Sequence, residues 1–203
     1  MKNCSLLILV CVLVSIVSCS PKGVKIVEDG TYIAAIKESI IIDDKGQEFL
    51  IDIQDGDDVY YLIRHAEKDS IPQGNPKLTE AGLLRANYLA DMMKGTRVDA
   101  VYSTMYTRTL FTVDTLAARK GMNIRPYEHR QLKKVYQDIS ADTTTSRVLI
   151  SGHSNTTPAL ANVILGRQEF LSSFDEKDYD NILIVLDKPE QENIVYKLRY
   201  KIP

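Results

Sequence analysis

The sequence predicts an α/β protein: a three-layer sandwich whose mostly parallel central sheet is flanked by helices and extended by hairpins at the N- and C-terminal ends. Three observations carry this expectation. After residue 59, short runs rich in β-branched residues alternate with longer stretches of helical periodicity. Residues 59–63, "VYYLI", are apolar throughout, the pattern of a strand covered on both faces. Two further apolar runs, "NILIVLD" and "NIVYKLRYKI", face each other across "KPEQE" as a closing pair of strands. At 203 residues the chain is long enough to bury the core of one domain.

The elements follow in order. Residues 19–30 read as a tether, and residues 31–58 as an N-terminal β extension. Within it "TYIAAIKESIII" and "EFLIDI" are joined by a turn at Asp44-Lys45-Gly46. "LTEAGLLRANYLADMMKG" is predicted helical, with Thr79 as N-cap, Leu83, Leu84, Tyr88, Leu89 and Met92 on its apolar face and Gly95 as stop. "VDAVYST" is a short strand. "MYTRTLFTVDTLAARKG" is a second helix, with Leu110, Val113, Leu116 and Ala117 inward and Gly121 at its end. "NIRPY" is a brief strand and "LKKVYQDISAD" a helix. "RVLISGHSN" is a strand and turn, and "TTPALANVILG" a helix with Pro158 in its first turn.

Residues 1–18 stand apart from this fold. Lys2 is followed by an apolar stretch over residues 6–17, too short for a good spanning helix but suited to a secretory signal. Its end, Ile16-Val17-Ser18-Cys19, resembles the bacterial lipoprotein signal, in which a small residue precedes a cysteine that is lipidated. The resemblance implies lipidation of Cys19 and export. The protein would then be anchored in the bacterial cell envelope, at the outer membrane or periplasmic face, through lipid alone. All three cysteines (Cys4, Cys11, Cys19) lie here, so the exported part has no intrachain disulfide and no catalytic thiol. With 25 basic and 27 acidic residues and a formal charge of -2, the chain has no basic stripe for nucleic acid.

Two strands end alike. Residues 59–63 run into Arg64-His65, and residues 148–151 into Gly152-His153; a third, ending at Tyr102-Ser103-Thr104, is followed within a helical turn by Arg108. In open α/β sheets ligands gather beyond the carboxyl ends of strands, so these residues can converge. Two arginines and two histidines without a carboxylate make a poor magnesium or calcium site and a good phosphate site. A zinc site from His65, His129 and His153 lacks a nearby acidic or thiolate ligand pattern, and no metal or other cofactor is expected. His129, the third histidine, reads as a strand-edge or loop residue, and Lys68-Asp69 as solvated.

"LIRHAEK", "LTEAGLLRA", "YSTMYTRTLFT" and "ISGHSNTTPAL", in that order and spacing, resemble the histidine phosphatase (phosphoglycerate mutase-like) superfamily. The likeness spans roughly residues 59–186, within a single domain expected over residues 31–203. It implies that His65 is the nucleophile taking the phosphoryl group, that Arg64 and Arg108 bind its oxygens and that His153 completes the pocket. The family most often has glycine at the position of Ala66, another small residue. Glu128, in "RPYEHRQL", stands where this branch commonly carries a general acid; Asp138 and Glu67 compete for that role, and some compact members lack an obvious acid. Asn155 and Ser154 can offer hydrogen bonds at the rim, Asn75 can reach the phosphate from the first loop, and Thr156 or Thr157 can cap the following helix.

The chemistry of the residues agrees with these roles. A neutral imidazole is nucleophilic near neutral pH, and its phosphorylated form is labile to water. Between Arg108 and His153 there is no room for a lid, so the site is expected to be open and shallow, like those of compact phosphohistidine phosphatases. The implied partner is a phosphorylated substrate, protein or small molecule, and the implied enzyme a metal-independent phosphomonoester hydrolase acting on phosphoprotein or on phosphoesters broadly. The alternative is a non-catalytic module of the same fold that binds phosphorylated ligands.

Overall fold

The computed structural model describes residues 24–26 and 31–202. Cys19 and the signal segment lie outside the described residues. In chain order the elements are β1 (Val24–Ile26), β2 (Ile33–Lys37), β3 (Ile40–Asp43), β4 (Glu48–Leu50), β5 (Asp58–Arg64) and α1 (Glu80–Met92). They continue with β6 (Ala100–Ser103), α2 (Thr107–Arg119), β7 (Ile124–Pro126), α3 (Leu132–Ser140) and β8 (Arg147–Gly152). The chain closes with α4 (Thr156–Leu165), β9 (Asn181–Asp187) and β10 (Ile194–Arg199).

Among the described residues the central sheet has seven strands in the order β1-β10-β9-β5-β8-β6-β7. Pairing is parallel from β5 through β8 and β6 to β7, and only β9 runs against its neighbours β5 and β10. β5 lies in the middle, and its side chains divide as an all-apolar strand must. Val59, Tyr61 and Ile63 join one buried cluster with residues of α1 and α2; Tyr60 and Leu62 join another with residues of α3 and α4. The three layers of the predicted sandwich follow from that division.

The N-terminal strands form a separate antiparallel sheet, β2-β3-β4, whose Ile33, Ile36 and Ile41 bury into the α1/α2 side of the core. The predicted turn is present, with Asp43 Oδ1 accepting from the Lys45 and Gln47 amides and Gly46 at φ 81°. The preceding run, expected as one strand, is two: it folds back at Glu38, whose φ is 50°. Within the segment read as a tether, Val24–Ile26 pairs with β10 as an edge strand.

α1 begins where predicted, with the Gly82 N–H donating to Thr79 Oγ1 at 3.1 Å. Its buried face keeps the predicted Leu89 and Met92 but otherwise differs from the predicted one. Leu83 and Leu84 are 48% and 53% exposed, and Gly82, Arg85, Ala86, Leu89 and Ala90 face inward. The reason is close approach: a Cβ on Gly82 would stand 2.1 Å from the Glu67 carbonyl oxygen, so this face must be small where it crosses the loop after β5. Gly95, expected as the stop, lies beyond the helix, against Lys37 of β2. Thr79→Ala is expected to cost about 1 kcal/mol, read by chemical denaturation, because the Gly82 amide loses its acceptor. Among the described residues no helix is long and apolar enough to cross a membrane.

Candidate active site

The register of the sheet brings the distant motifs together. Arg64 of β5 is paired with Gly152 of β8, so His65 and His153 each stand one residue beyond adjacent parallel strands. Ser103 of β6 is paired with Ser151, which sets the N-terminus of α2, and Arg108 on it, at the same edge. Asn75, considered as a phosphate contact, instead accepts the Thr107 N–H at 2.7 Å and caps α2 from a remote loop. Thr156 Oγ1 accepts the His153 N–H, and Thr157 Oγ1 donates to the Ile63 carbonyl, tying α4 to both strands.

His65 is held at both ends. Its backbone N–H donates to Gly152 O at 3.0 Å, and Nδ1 donates to Ala66 O at 2.8 Å. With the proton on Nδ1, Nε2 keeps its lone pair. Burial, opposed in part by the Ala66 hydrogen bond and then aided by Arg64, Arg108 and Lys68, drives its pKa down to about 4. Ala66 is fully buried against Leu78 and Ala86, so its methyl group has a place.

The His153 ring lies 5.7 Å from that of His65, edge to face. Its Nε2 is 3.1 Å from Thr104 Oγ1, which is 2.8 Å from Thr109 Oγ1, whose hydroxyl donates to the Thr104 and Tyr106 carbonyls. That chain of donors places the proton on Nε2. Arg108, which can only donate, approaches Nδ1 at 3.5 Å. Burial first, then the charge of Arg108, lowers the His153 pKa to about 3.

The two arginines differ. Arg108 lies over Tyr106, its guanidinium 4.4 Å from the ring centroid, and its NH1 donates to Gly74 O. Arg64 is 1% exposed and is held by the segment after α4: NH1 donates to Asp175 O and Asp178 O, and NH2 to Glu176 O and Oε2. The Nε atoms of both arginines are buried without a hydrogen-bond partner. Of the two, Arg108 lines the cavity, where its guanidinium is a charged donor suited to an anionic ligand.

His65, Arg108, His153 and Asn155 line an open cavity of about 280 Å³. Arg64 stands behind its wall. Five residues that the sequence reading left aside, or gave only a minor part, complete the lining: Lys68, Tyr106, His129, Ser154 and Glu176. Glu176 bridges Ser154 Oγ and Arg64, and the Ser154 hydrogen bond chiefly holds its carboxyl below the usual range. Glu128 lines a neighbouring cavity, 54% exposed, with Asp138, which pairs with Lys134. Glu67 is committed to Arg85, whose Nε and NH2 donate to both its oxygens. Among the described residues, no group of three or more His, Cys, Asp or Glu side chains is placed to hold a metal ion.

The two depressed histidines predict a pH dependence of stability. Below about pH 6.5 the unfolded chain binds protons that the native imidazoles refuse, so stability falls as pH drops from there toward 4. The melting temperature should fall more steeply over this window in the wild type than in a His65→Gln/His153→Gln variant. Equal slopes would mean that the rings are solvated.

Comparison with known proteins bears on this geometry. A family model described as Histidine phosphatase superfamily (branch 1) matches residues 60–133, which hold the first strand motif, both helices after it and Arg108. A search of curated proteins found no match. Among solved structures, a candidate phosphohistidine phosphatase SixA of Nakamurella multipartitia superposes with a TM-score of 0.53 at 18% identity, over 69% of this chain and 94% of that one. A mycobacterial glucosyl-3-phosphoglycerate phosphatase gives 0.57 at 12% identity, over 72% and 100%. The alpha-ribazole phosphatase of Shigella flexneri gives 0.57 at 12%, over 71% and 96%. The chain thus has the α/β fold of these phosphatases, and the stretch of it that carries His65 and Arg108 matches the histidine phosphatase superfamily (branch 1).

Proposed function

We propose that the protein is a metal-independent phosphomonoester hydrolase that works through a phosphohistidine on His65. The observation that carries this reading is the pairing of a neutral imidazole, its Nε2 lone pair free, with Arg108, which lines the same cavity and has a buried Nε–H without an acceptor. Nε2 attacks phosphorus and the ester oxygen leaves. Arg108 holds the equatorial oxygens, His153 lines the same cavity, and buried Arg64 acts through its charge, with Nε–H still to be satisfied. Water then attacks the phosphohistidine, and inorganic phosphate departs. The alkyl or aryl oxygen needs a proton on leaving, and Glu128, expected for that task, sits outside the cavity.

The cavity is open and small, which suits a phosphoryl group presented on a protein or on varied esters better than an enclosed metabolite. We place the domain in the bacterial envelope, tethered by lipid on Cys19, where phosphoesters arrive from outside. A second reading, a phospho-ligand binding module, is favoured by one observation: the Arg64 guanidinium is occupied by three carbonyls and Glu176. Rapid quenching with p-nitrophenyl phosphate, followed by mass spectrometry, separates them. The hydrolase accumulates phosphate on the peptide holding His65 and releases p-nitrophenol; a binding module does neither.

A further inference from the structure

Three imidazoles surround one cavity, and they are not alike. His65 and His153 are stripped of their second proton by burial and by the arginines beside them. Neither can protonate a leaving group at neutral pH. The third ring, His129, comes from the loop between β7 and α3. It meets His153 edge to face at 5.7 Å and Tyr106 at 5.9 Å, so His153 is the shared neighbour of His65 and His129. A phosphoryl group held against His153 has His65 and His129 within reach from different parts of the chain.

His129 also has a carboxylate of its own. Glu128 Oε1 lies 3.3 Å from its Nδ1, and the same oxygen accepts the Arg130 N–H at 3.1 Å, which holds the carboxylate in place. The other carboxylate at the cavity, Glu176, has one oxygen on Ser154 and the other on Arg64. Glu176 is therefore spent as an anchor.

We propose that His129 is the catalytic acid for the leaving group and that Glu128 is its positioning residue, a role that rests on the phosphohistidine reading above. The imidazolium of His129 keeps its Nδ1 proton toward Glu128 and presents the Nε2 proton to the ester oxygen. As the bond from His65 Nε2 to phosphorus forms, the bond from phosphorus to the ester oxygen breaks. That oxygen takes the Nε2 proton of His129 and leaves as the alcohol or phenol. His129, now neutral with a free Nε2 lone pair, takes a proton from the water that attacks the phosphohistidine. The bond from phosphorus to His65 breaks, phosphate leaves, and both rings return to their starting states. The carboxylate fixes which nitrogen carries the mobile proton throughout.

The test compares phosphate esters of rising leaving-group basicity: p-nitrophenyl, phenyl and alkyl phosphate. An acid matters most where the leaving oxygen is most basic. His129→Gln is expected to lose about 10²-fold more turnover on the phenyl and alkyl esters than on the p-nitrophenyl ester, within the usual range for one acid catalyst. Glu128→Gln should show the same leaving-group trend at smaller size, and Glu128→Asp should recover part of it. Equal losses across the series, or none, would overturn the role of His129; if His129→Gln fails to fold, the Glu128→Gln series decides by the same criterion. Phosphorylation of His65 is followed in parallel by rapid quench. A wild type that never forms the phosphoenzyme removes the hydrolase reading itself. A phosphoenzyme that forms while the series stays flat removes the His129 role alone.

Discussion

His65→Ala should lower turnover of p-nitrophenyl phosphate by at least about 10³-fold, equivalent to about 4 kcal/mol of barrier. The expectation follows from what the ring supplies. Its lone pair is the attacking electron pair, and the ring is aimed by a hydrogen bond from Nδ1 to Ala66 O and by the backbone bond to Gly152. Water entering the space left by the ring would have neither the nucleophilicity nor the fixed distance to phosphorus. Binding should suffer far less, because Arg108 and Lys68 remain at the cavity. Inorganic phosphate should therefore still raise the melting temperature of His65→Ala. Retention of a tenth or more of the wild-type rate would move the nucleophile elsewhere. Loss of both activity and phosphate binding would point to collapse of the pocket.

The second large effect lies at the opposite end of β5, about 20 Å away at the usual rise per residue. Lys188 Nζ donates to Asp57 Oδ2 at 2.6 Å, with the two side chains 1% and 4% exposed. The same carboxylate oxygen accepts the Gln54 N–H, and Arg147 donates to the Asp57 carbonyl, so this pair joins the entry to β5 with the exit from β9 and the start of β8. Asp57→Ala strands a buried ammonium and is expected to cost about 3–5 kcal/mol by urea or guanidinium unfolding, a large share of the usual margin of a single domain. Asp57→Leu/Lys188→Met should recover most of the loss, since burying no charge avoids both the desolvation cost and the unpaired ion. Activity per folded molecule should be unchanged in both variants. A cost below about 1 kcal/mol for Asp57→Ala would show that water reaches the pair.

These two regions divide the work of β5. Its N-terminal end is clamped by a buried charge pair, and its C-terminal end delivers a neutral histidine to the pocket, with buried Arg64 behind the wall. Burial chiefly strips His65 of its second proton, and the nearby positive charge that adds to this also favours a dianionic phosphoryl group, so one arrangement serves nucleophile and binding together.

The residues themselves announced much of this. The unbroken apolar run of residues 59–63 suits a strand with cover on both faces, and β5 is one. Thr79 before a helical pattern is a cap, and the Gly82 amide uses it. Arg64, His65, Arg108 and His153 could be grouped because strand ends in an α/β sheet converge, and His65, Arg108 and His153 do share a cavity. Other features were silent until the chain was folded. Leu83 and Leu84 look like core, yet the face that packs is the one bearing Gly82 and Ala86, because the neighbouring backbone comes too close for anything larger. Glu128 carried the expected motif position, but its neighbour His129 turns into the cavity. The carbonyls that occupy Arg64 come from residues 175–178, where no motif stands. Periodicity is a property of one element and reveals how its side chains face relative to each other. Which loop residue meets which charge depends on how remote segments close over the sheet, and that is decided only when the whole core packs.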